Sequence, residues 1–253
     1  MTFVGDYVGR DVRRGTGGAG GGQPPVRMCD APAKVTLRAL LAQNMNRLGL
    51  TTAAVETLVA HARISGYRAG QAVFAPTDSD HLVHFLIRGA VRITCEMGSG
   101  TMTVRIVRPG QFFSLASLFD HPEPRKFGAV AHEAALVALI SHEAMRQVLM
   151  ALPPANALTL VSSTWRVLLR LLFDKCAYLM APLRERVTRA LELLAQDFGT
   201  PHERGVLIDL PLTHHDVAEL AVASRANVSR CLSAMRREGR LDVEGRRFIL
   251  VRH

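Results

Sequence analysis

The stretch LTHHDVAELAVASRANVSRCLSAMRREGR, residues 212–240, has the pattern of two short helices joined by a tight turn. Thr213 is a good N-cap for the first helix, and Asp216, three residues later, completes a pair resembling a capping box. A turn of small residues follows at 221–223, after which Ser224 can cap the second helix. The stretch therefore predicts a helix-turn-helix, the arrangement with which many proteins read DNA.

The second predicted helix has two chemically different faces. Its apolar residues recur at helical spacing and predict a buried stripe, formed by Val228, Leu232 and Met235. The opposite face begins with Arg225, Ala226, Ser229 and Arg230, in which small side chains would let the arginines approach base edges. A solvated arginine-rich face is the alternative, and the basic strand pair that follows favours DNA.

That strand pair is formed by the apolar runs 241–243 and 248–251, with Glu244 and Gly245 as the expected turn. Arg246 and Arg247 are then expected at the tip of the hairpin. Upstream, residues 206–210 predict a third strand that leads into the first helix. Eight arginines follow from Arg225 onward against three acids, an excess suited to phosphate contact. The pattern predicts a winged helix-turn-helix.

The segment SRANVSRCLSAMRREGRL, residues 224–241, resembles the recognition helix of the cyclic-AMP receptor and fumarate-nitrate regulator family of bacterial transcription factors. That family carries a motif close to SRETVSR at this position. Pattern and resemblance together assign DNA contacts to Thr213, His214, Ser224, Arg225, Ala226, Asn227, Ser229, Arg230 and Arg246. The resemblance extends over roughly residues 36–252 and implies double-stranded palindromic DNA and RNA polymerase as partners.

Between residues 66 and 140, short apolar runs alternate with glycines, a pattern typical of an all-β roll or barrel. The runs are 72–74, 82–87, 91–95, 102–107, 129–131 and 136–140. FLIRGAVRI, residues 85–93, and RPGQFF, residues 108–113, resemble the cyclic-nucleotide-binding β-roll of the same family. An amphipathic helical stretch, 37–48, precedes this region.

The segment that would hold a ligand departs from the family pattern. Cyclic-nucleotide binders of the family carry a Gly-Glu pair for the ribose and an Arg-Ser or Arg-Thr pair for the phosphate, where this chain has Ser114 and Leu115, then Arg125 and Lys126. Because leucine cannot accept a hydrogen bond, an unpaired ligand hydroxyl would lose roughly 1 to 3 kcal/mol. We expect no response to cyclic AMP, while the Arg125–Lys126 pair leaves open another anion or a solvated loop.

A third pattern lies between the two regions, where apolar residues follow spacings of three and four over about three heptads. They predict a coiled-coil seam formed by Leu158, Val161, Trp165, Leu168, Leu172 and Leu179. Pro153 and Pro154 suit the first turn, and Pro182 marks the end, after which 183–198 predicts a new helix. The alternative is a helix packed on its own β-roll. A homodimer is favoured because Trp165 would otherwise be exposed.

Composition narrows the function classes. Lys and Arg number 31 against 22 acids, giving a net charge of +9, which favours a polyanionic partner. Four scattered cysteines without a CxxC pair indicate neither a disulfide framework nor a zinc site. On a strand, residues three apart point to opposite faces, so His81 and His84 cannot readily share an ion and are expected to be surface or partly buried histidines. Cys231 is either a redox trigger or, as its position beside the apolar stripe favours, a packed small residue.

The sequence thus predicts an α+β protein. We divide it into a Gly-rich disordered arm (1–33), a β-roll sensor domain (34–152), a dimerisation helix (153–181) and the winged helix-turn-helix domain (182–253). No phosphate loop, nucleophile elbow or metalloprotease motif is present, so an enzyme, a metal and a cofactor are not expected. No apolar run reaches spanning length, and a cytoplasmic location is expected. The alternative function is an anion-binding or partner-binding sensor or scaffold with only weak, non-specific nucleic-acid binding.

Overall fold

The computed structural model describes residues 30–76, 78, 81–97, 100–118 and 127–251 of the chain. Three helices come first: α1 (Asp30–Gln43), α2 (Met45–Leu48) and α3 (Thr52–His61). The single helix predicted at 37–48 is therefore two, and α1 begins within the predicted arm, where Ala33 is already buried. Residues 1–29 of that arm lie outside the described residues.

Two four-stranded antiparallel sheets follow. The strands are β1 (Arg63–Tyr67), β2 (Ala72–Phe74), β3 (Leu82–Arg88), β4 (Val91–Met97), β5 (Gly100–Val107), β6 (Phe112–Phe113), β7 (Phe127–Ala131) and β8 (Ala135–Ser141). Their order is β1-β8-β3-β6 in one sheet and β2-β7-β4-β5 in the other. Each of the six predicted runs is a strand, and two further strands, β1 and β6, were missed.

One core lies between the two sheets and a second lies outside them. Along β8, Val137 and Leu139 belong to the cluster between the sheets, whereas Ala138 and Ile140 belong to the cluster with α1, α3 and the next helix. This alternation follows from the two-residue period of a strand. A sheet with both faces covered explains why β8 is apolar at every position before its last residue, Ser141.

The chain then becomes helical: α4 (His142–Ala151), α5 (Pro154–Met180) and α6 (Leu183–Phe198). The two ends of α5 lie where the prolines predicted them, because a proline is tolerated in a first helical turn but not in a helix interior. Near its start, Asn156 donates to the carbonyl oxygen of Gly49 at 3.1 Å. Gly49 has φ +65°, and a Cβ there would lie 2.2 Å from the Asn156 carbonyl oxygen, so only glycine allows this close approach.

The C-terminal part contains β9 (Gly199–His202), β10 (Gly205–Ile208), α7 (His214–Leu220), α8 (Arg225–Arg237), β11 (Leu241–Glu244) and β12 (Arg247–Val251). Its sheet has the order β11-β12-β10-β9. The predicted strand 206–210 is β10, which ends at Ile208, and β9 was not predicted. Its core is formed by α6, α7, α8 and the sheet, and it also takes in Ala90 and Ile106 from the β-roll. Within the described ranges, no helix combines the length and apolarity needed to cross a membrane.

Candidate nucleic-acid interface

The N-terminus of α7 is fixed by a complete capping box. The Thr213 hydroxyl accepts from the backbone N–H of Asp216 at 3.2 Å, and the Asp216 carboxylate accepts from the backbone N–H of Thr213 at 2.7 Å. Two of the N–H groups that a helix leaves without intrahelical partners are thereby satisfied. The predicted start of the helix-turn-helix is confirmed.

The second helix, α8, is capped by Ser224, whose hydroxyl accepts from the backbone N–H of Asn227 at 3.3 Å. Val228, Leu232 and Met235 are buried, as their spacing predicts. Between the helices, Val222 has φ +51°, and the Arg186 guanidinium donates to its carbonyl oxygen at 2.8 Å. Arg186 of α6 therefore holds the turn that sets the angle between α7 and α8.

The outward side of α8 carries polar groups in position for an external partner. Arg225, Ala226 and Arg230 are exposed. Arg225 makes no hydrogen bond or ion pair with any described residue, and Arg230 donates to the side-chain oxygen of Asn227 at 2.5 Å. Guanidinium groups on a helix face next to a small side chain can reach the edges of base pairs. This surface, Arg225 with Ala226 and Arg230, is called the reading face below.

Two of the other predicted contact residues bind each other instead. Nδ1 of His214 lies 2.8 Å from Oγ of Ser229, and the imidazole ring stacks on Phe248 at 6.3 Å between centroids. This contact joins α7, α8 and β12 at one point. The side chains of His214 and Ser229 therefore support the geometry of the reading face from behind.

The hairpin after α8 differs from its prediction by one residue. Glu244 pairs with Arg247 in the sheet, so the turn is Gly245–Arg246, and Gly245 has φ +60°. Two-residue hairpin loops need positive φ, which glycine supplies without strain. Arg246 is exposed at the tip, and its carbonyl oxygen accepts from the Leu212 N–H at 2.8 Å, whereas Arg247 lies in β12 and pairs with Asp209 at 2.9 Å.

An ion-pair cluster between α7 and the β-roll was not predicted from the sequence. The Arg92 guanidinium on β4 lies 3.2 Å from carboxylate oxygens of both Asp216 and Glu219 on α7. The Thr103 hydroxyl donates to the same Glu219 oxygen. Further along, Nε2 of His132 lies 2.8 Å from the Pro211 carbonyl oxygen. The first helix of the helix-turn-helix is thus attached to the β-roll of its own chain.

A cavity of about 440 Å³, called the roll pocket, lies between the β-roll and α5. Of the four predicted ligand residues, Ser114 and Leu115 line it, and Arg125 and Lys126 lie outside the described residues. The Ser114 hydroxyl donates to the Leu82 carbonyl oxygen at 3.2 Å and lies 2.8 Å from Nδ1 of His84. The Ser114 hydroxyl is therefore already hydrogen-bonded to groups of strand β3.

Several residues that line the roll pocket were missed by the sequence analysis. They come from β5 and from the inner side of α5, namely Arg105, Ser163, Thr164 and Arg166. Polar residues within the apolar pattern of α5, and an arginine within a strand, were the signals available. Burial lowers the pKa of the Arg105 guanidinium, which donates to the Gln111 side-chain oxygen at 2.5 Å.

The predicted seam forms an exposed apolar stripe on α5. Leu158, Val161, Trp165, Leu168 and Leu172 are each more than half exposed, with Trp165 at 57%. Leu179 belongs to α5, but its side chain is outside the described part. An exposed stripe of this length on one helix is unusual for an isolated chain and is typical of an interaction surface.

His81, His84 and Cys231 are the residues for which the sequence raised metal or redox chemistry. Among the residues described, no group of three or more His, Cys, Asp or Glu side chains could hold a metal ion. The expectation that His84 is a surface or partly buried residue is wrong, because it is 1% exposed and its side chain packs against Phe74 and Phe113. Burial raises the pKa of the Cys231 thiol, so the neutral form that packs well is favoured over the reactive thiolate.

Two family models match the chain. The cyclic nucleotide-binding domain matches residues 65–151, and the Crp-like helix-turn-helix domain matches residues 185–253. The first therefore covers most of the β-roll, and the second covers α6 to the wing.

Relatives match over most of their length. The chain is 27% identical to the global nitrogen regulator of Synechococcus elongatus over 74% of this chain and 84% of that protein. It is 25% identical to the CRP-like cAMP-activated global transcriptional regulator of Mycobacterium tuberculosis, over 80% of this chain and 90% of that protein. These relatives are transcription regulators rather than enzymes.

Solved structures of low sequence identity share the fold. The c-di-GMP-responsive global regulator CLP of Xanthomonas campestris aligns with a TM-score of 0.68 at 20% identity, covering 80% of this chain and all of that one. A mutant of CooA from Carboxydothermus hydrogenoformans aligns with a TM-score of 0.61 at 22% identity, covering 77% of this chain and 85% of that one. The combination of β-roll, long helix and helix-turn-helix is therefore shared.

Proposed function

Because the chain belongs to the Crp/Fnr family of transcription regulators, we propose that it is a homodimer that binds a palindromic DNA site through its reading face. The observation that carries the proposal is the exposed pair Arg225 and Arg230 beside Ala226 on a capped α8. A guanidinium can donate two hydrogen bonds to O6 and N7 of guanine in the major groove. By family resemblance, RNA polymerase is a further partner, and the protein acts in the cytoplasm.

Phosphate contacts would come from the ends of this surface. The proposed contact residues outside the reading face are Thr213, His214, Ser224, Asn227, Ser229 and Arg246. Of these, Arg246 at the wing tip carries a charge that can neutralise a phosphate. Thr213, His214, Ser224 and Asn227 lie at the N-termini of α7 and α8, where backbone N–H groups favour an anion, and Ser229 lies about one turn further along α8. Such contacts position the protein without selecting a sequence.

Selection of binding sites from random DNA is the direct test. We expect a palindrome whose half-site centres are roughly 34 to 36 Å apart, the repeat of one DNA turn. At fixed salt, the palindrome should bind at least about 10³-fold more tightly than random DNA. Equal affinities for both would instead support the anion-binding sensor or scaffold with weak, non-specific nucleic-acid binding.

The exposed stripe on α5 supports the homodimer. A second copy would cover Leu158, Val161, Trp165, Leu168 and Leu172, and we include Leu179 in the seam by its heptad position. Charged residues at Leu168 and Leu172 should give monomers in sedimentation, with little affinity for the palindrome. Leu168 also lines the roll pocket, so Leu172→Glu alone is the cleaner variant. A charged double variant that remains dimeric would rule out this seam.

For the roll pocket we propose that cyclic AMP is not the effector, although the Mycobacterium tuberculosis relative is cAMP-activated by name. Leu115 offers no acceptor to a ribose hydroxyl, and the Ser114 hydroxyl is bound to β3. Arg125 and Lys126 stay candidates for contact with another anion. Titrating cyclic AMP to millimolar concentration should change neither the melting temperature nor DNA affinity, because only a ligand that binds the native state stabilises it. A saturable upward shift in melting temperature would refute the proposal.

A further inference from the structure

A second cavity lies beside the roll pocket, where the β-roll, α5 and α6 meet. Its volume is about 370 Å³, within the range of metabolite sites, and it is called the interdomain cleft below. One wall is β5, with Val104 and Ile106, the second is α5, with Val167 and Leu171, and the third is α6. The cleft therefore touches both the sensor half and the DNA-binding half of the chain.

Positive charge is concentrated in this cleft. Four arginines line it, Arg47, Arg105, Arg108 and Arg170, together with a single carboxylate, that of Asp197, among the described lining residues. Arg108 pairs with Asp197 at 3.2 Å, and the same carboxylate attracts Arg105. One carboxylate thus serves two guanidinium groups, and the described lining keeps a clear positive excess.

Neutral amides hold two of these arginines in place. Arg105 donates to the Gln111 side-chain oxygen, and Arg170 donates to the Gln196 side-chain oxygen at 2.7 Å. An amide oxygen orients a guanidinium without itself neutralising the positive charge. Burial disfavours the charged form of the Arg105 guanidinium and lowers its pKa.

We propose that the interdomain cleft binds a small organic anion with at least two negative charges, such as a phosphate ester or a dicarboxylate. The arginines would hold the charged groups. The apolar side chains of β5, α5 and α6 would contact the carbon skeleton, as in other metabolite sites. Because the ligand would contact the β-roll, α5 and α6 together, its binding opposes separation of the two halves.

The test uses the full-length protein without DNA, at constant ionic strength, with pyrophosphate and succinate as separate probes. Melting temperature and titration calorimetry should detect saturable binding of at least one probe. Preference for pyrophosphate would indicate a phosphate ester, and preference for succinate would indicate a dicarboxylate. No saturable binding of either probe overturns the proposal.

Arg170→Gln and Arg166→Gln form a matched pair of variants on α5. Both residues are exposed and lose the same charge, but Arg170 lines only the interdomain cleft and Arg166 lines only the roll pocket. Arg170→Gln should weaken probe binding about tenfold, whereas Arg166→Gln should leave it within about twofold. The opposite ranking would place the anion in the roll pocket and overturn the proposal.

Asp197→Asn supplies a gain of function that a merely structural role would not give. Removing the single described carboxylate of the cleft should tighten probe binding about threefold or more, since it frees Arg108 and Arg105. Arg63→Gln, an exposed arginine outside the cleft, is the control for general charge effects. Equal weakening by Arg63→Gln and Arg170→Gln would show non-specific attraction and overturn the site. Because no DNA is present, these results do not depend on the proposed DNA binding.

Discussion

The two helices of the helix-turn-helix use their polar side chains differently. On α7, Asp216 and Glu219 bind Arg92 of the β-roll, and His214 binds Ser229. On α8, Arg225 has no partner among the described residues, and Arg230 binds only Asn227 of its own helix. The polar groups of α7 are therefore used within the fold, and those of the reading face are available to a partner.

This difference indicates a division of labour between similar amphipathic helices. Both bury an apolar stripe in the same core cluster. What separates them is the neighbour on the polar side, which is the β-roll for α7 and solvent for α8. We infer that α7 fixes the position of the domain while α8 reads DNA, and the two roles can be separated by mutation.

The largest effect on free energy is expected from Arg92→Ala, which removes the ion pairs between α7 and the β-roll. It leaves Asp216 and Glu219, with side chains 11% and 16% exposed, close together without their shared cation. Breaking such a buried pair should lower the free energy of unfolding by about 2 to 4 kcal/mol. Denaturant unfolding measures the loss. Selected DNA sites should keep the same base preferences, and a change of preference would contradict the separation of roles.

The next effect concerns the reading face. Arg225→Ala and Arg230→Ala should each weaken binding to the palindrome by about 1 to 3 kcal/mol and relax one base position. Stability should change little, because both side chains are exposed and make few contacts inside the protein. Affinities on the palindrome and on random DNA provide the measurement. Equal weakening on both would mean that these arginines contact only phosphates.

Ala226 gives a prediction about a single base pair. The resembling family motif has Glu here, whose carboxylate can accept from the amino group of cytosine, whereas a methyl group can contact only the thymine methyl. The facing base pair should be loosely specified or lean toward thymine, and Ala226→Glu should add preference for cytosine by roughly 1 to 3 kcal/mol. An invariant cytosine already present, and unchanged by the substitution, would contradict this docking of α8.

The smallest effect is expected from Ser224→Ala, which removes the cap of α8. The Asn227 N–H then loses its acceptor, and the free energy of unfolding should fall by about 1 kcal/mol. Ser233→Ala, an exposed serine later in the same helix, is the matched control and should be neutral or slightly stabilising. Identical losses for both variants would show that Ser224 does not act as a cap.

Features that depend on residues close together in the sequence were predicted well. The capping box of α7, the cap and buried stripe of α8, and the bounds of α6 follow from spacings within one or two helical turns. Such patterns are local because a helix repeats every 3.6 residues and its caps bond within three residues. Six strands of the β-roll were equally visible, since apolar runs bounded by glycines mark buried strands.

The strands and the buried residue that were not predicted from the sequence have physical explanations. Strand β9 contains Gly199 and Pro201, which disfavour strand formation except at an edge, and β9 is the edge strand of its sheet. Strand β6 has only two residues, Phe112 and Phe113, too few to form a pattern. His84 is buried against Phe74 and Phe113, and its ring nitrogen has a partner there in the Ser114 hydroxyl, which lies 30 positions away in the sequence.

By itself the sequence determined six strands of the β-roll, the long helix α5, the winged helix-turn-helix, and which face of α8 turns outward. It did so because hydrophobic periodicity, caps and turn residues act over a few neighbouring positions. Only the tertiary structure decided that Arg92 meets Asp216 and Glu219, and that Arg105, Arg108 and Arg170 line one cleft. Those groups come from distant segments, and only the packing of the β-roll against α5, α6 and α7 brings them within reach of one another.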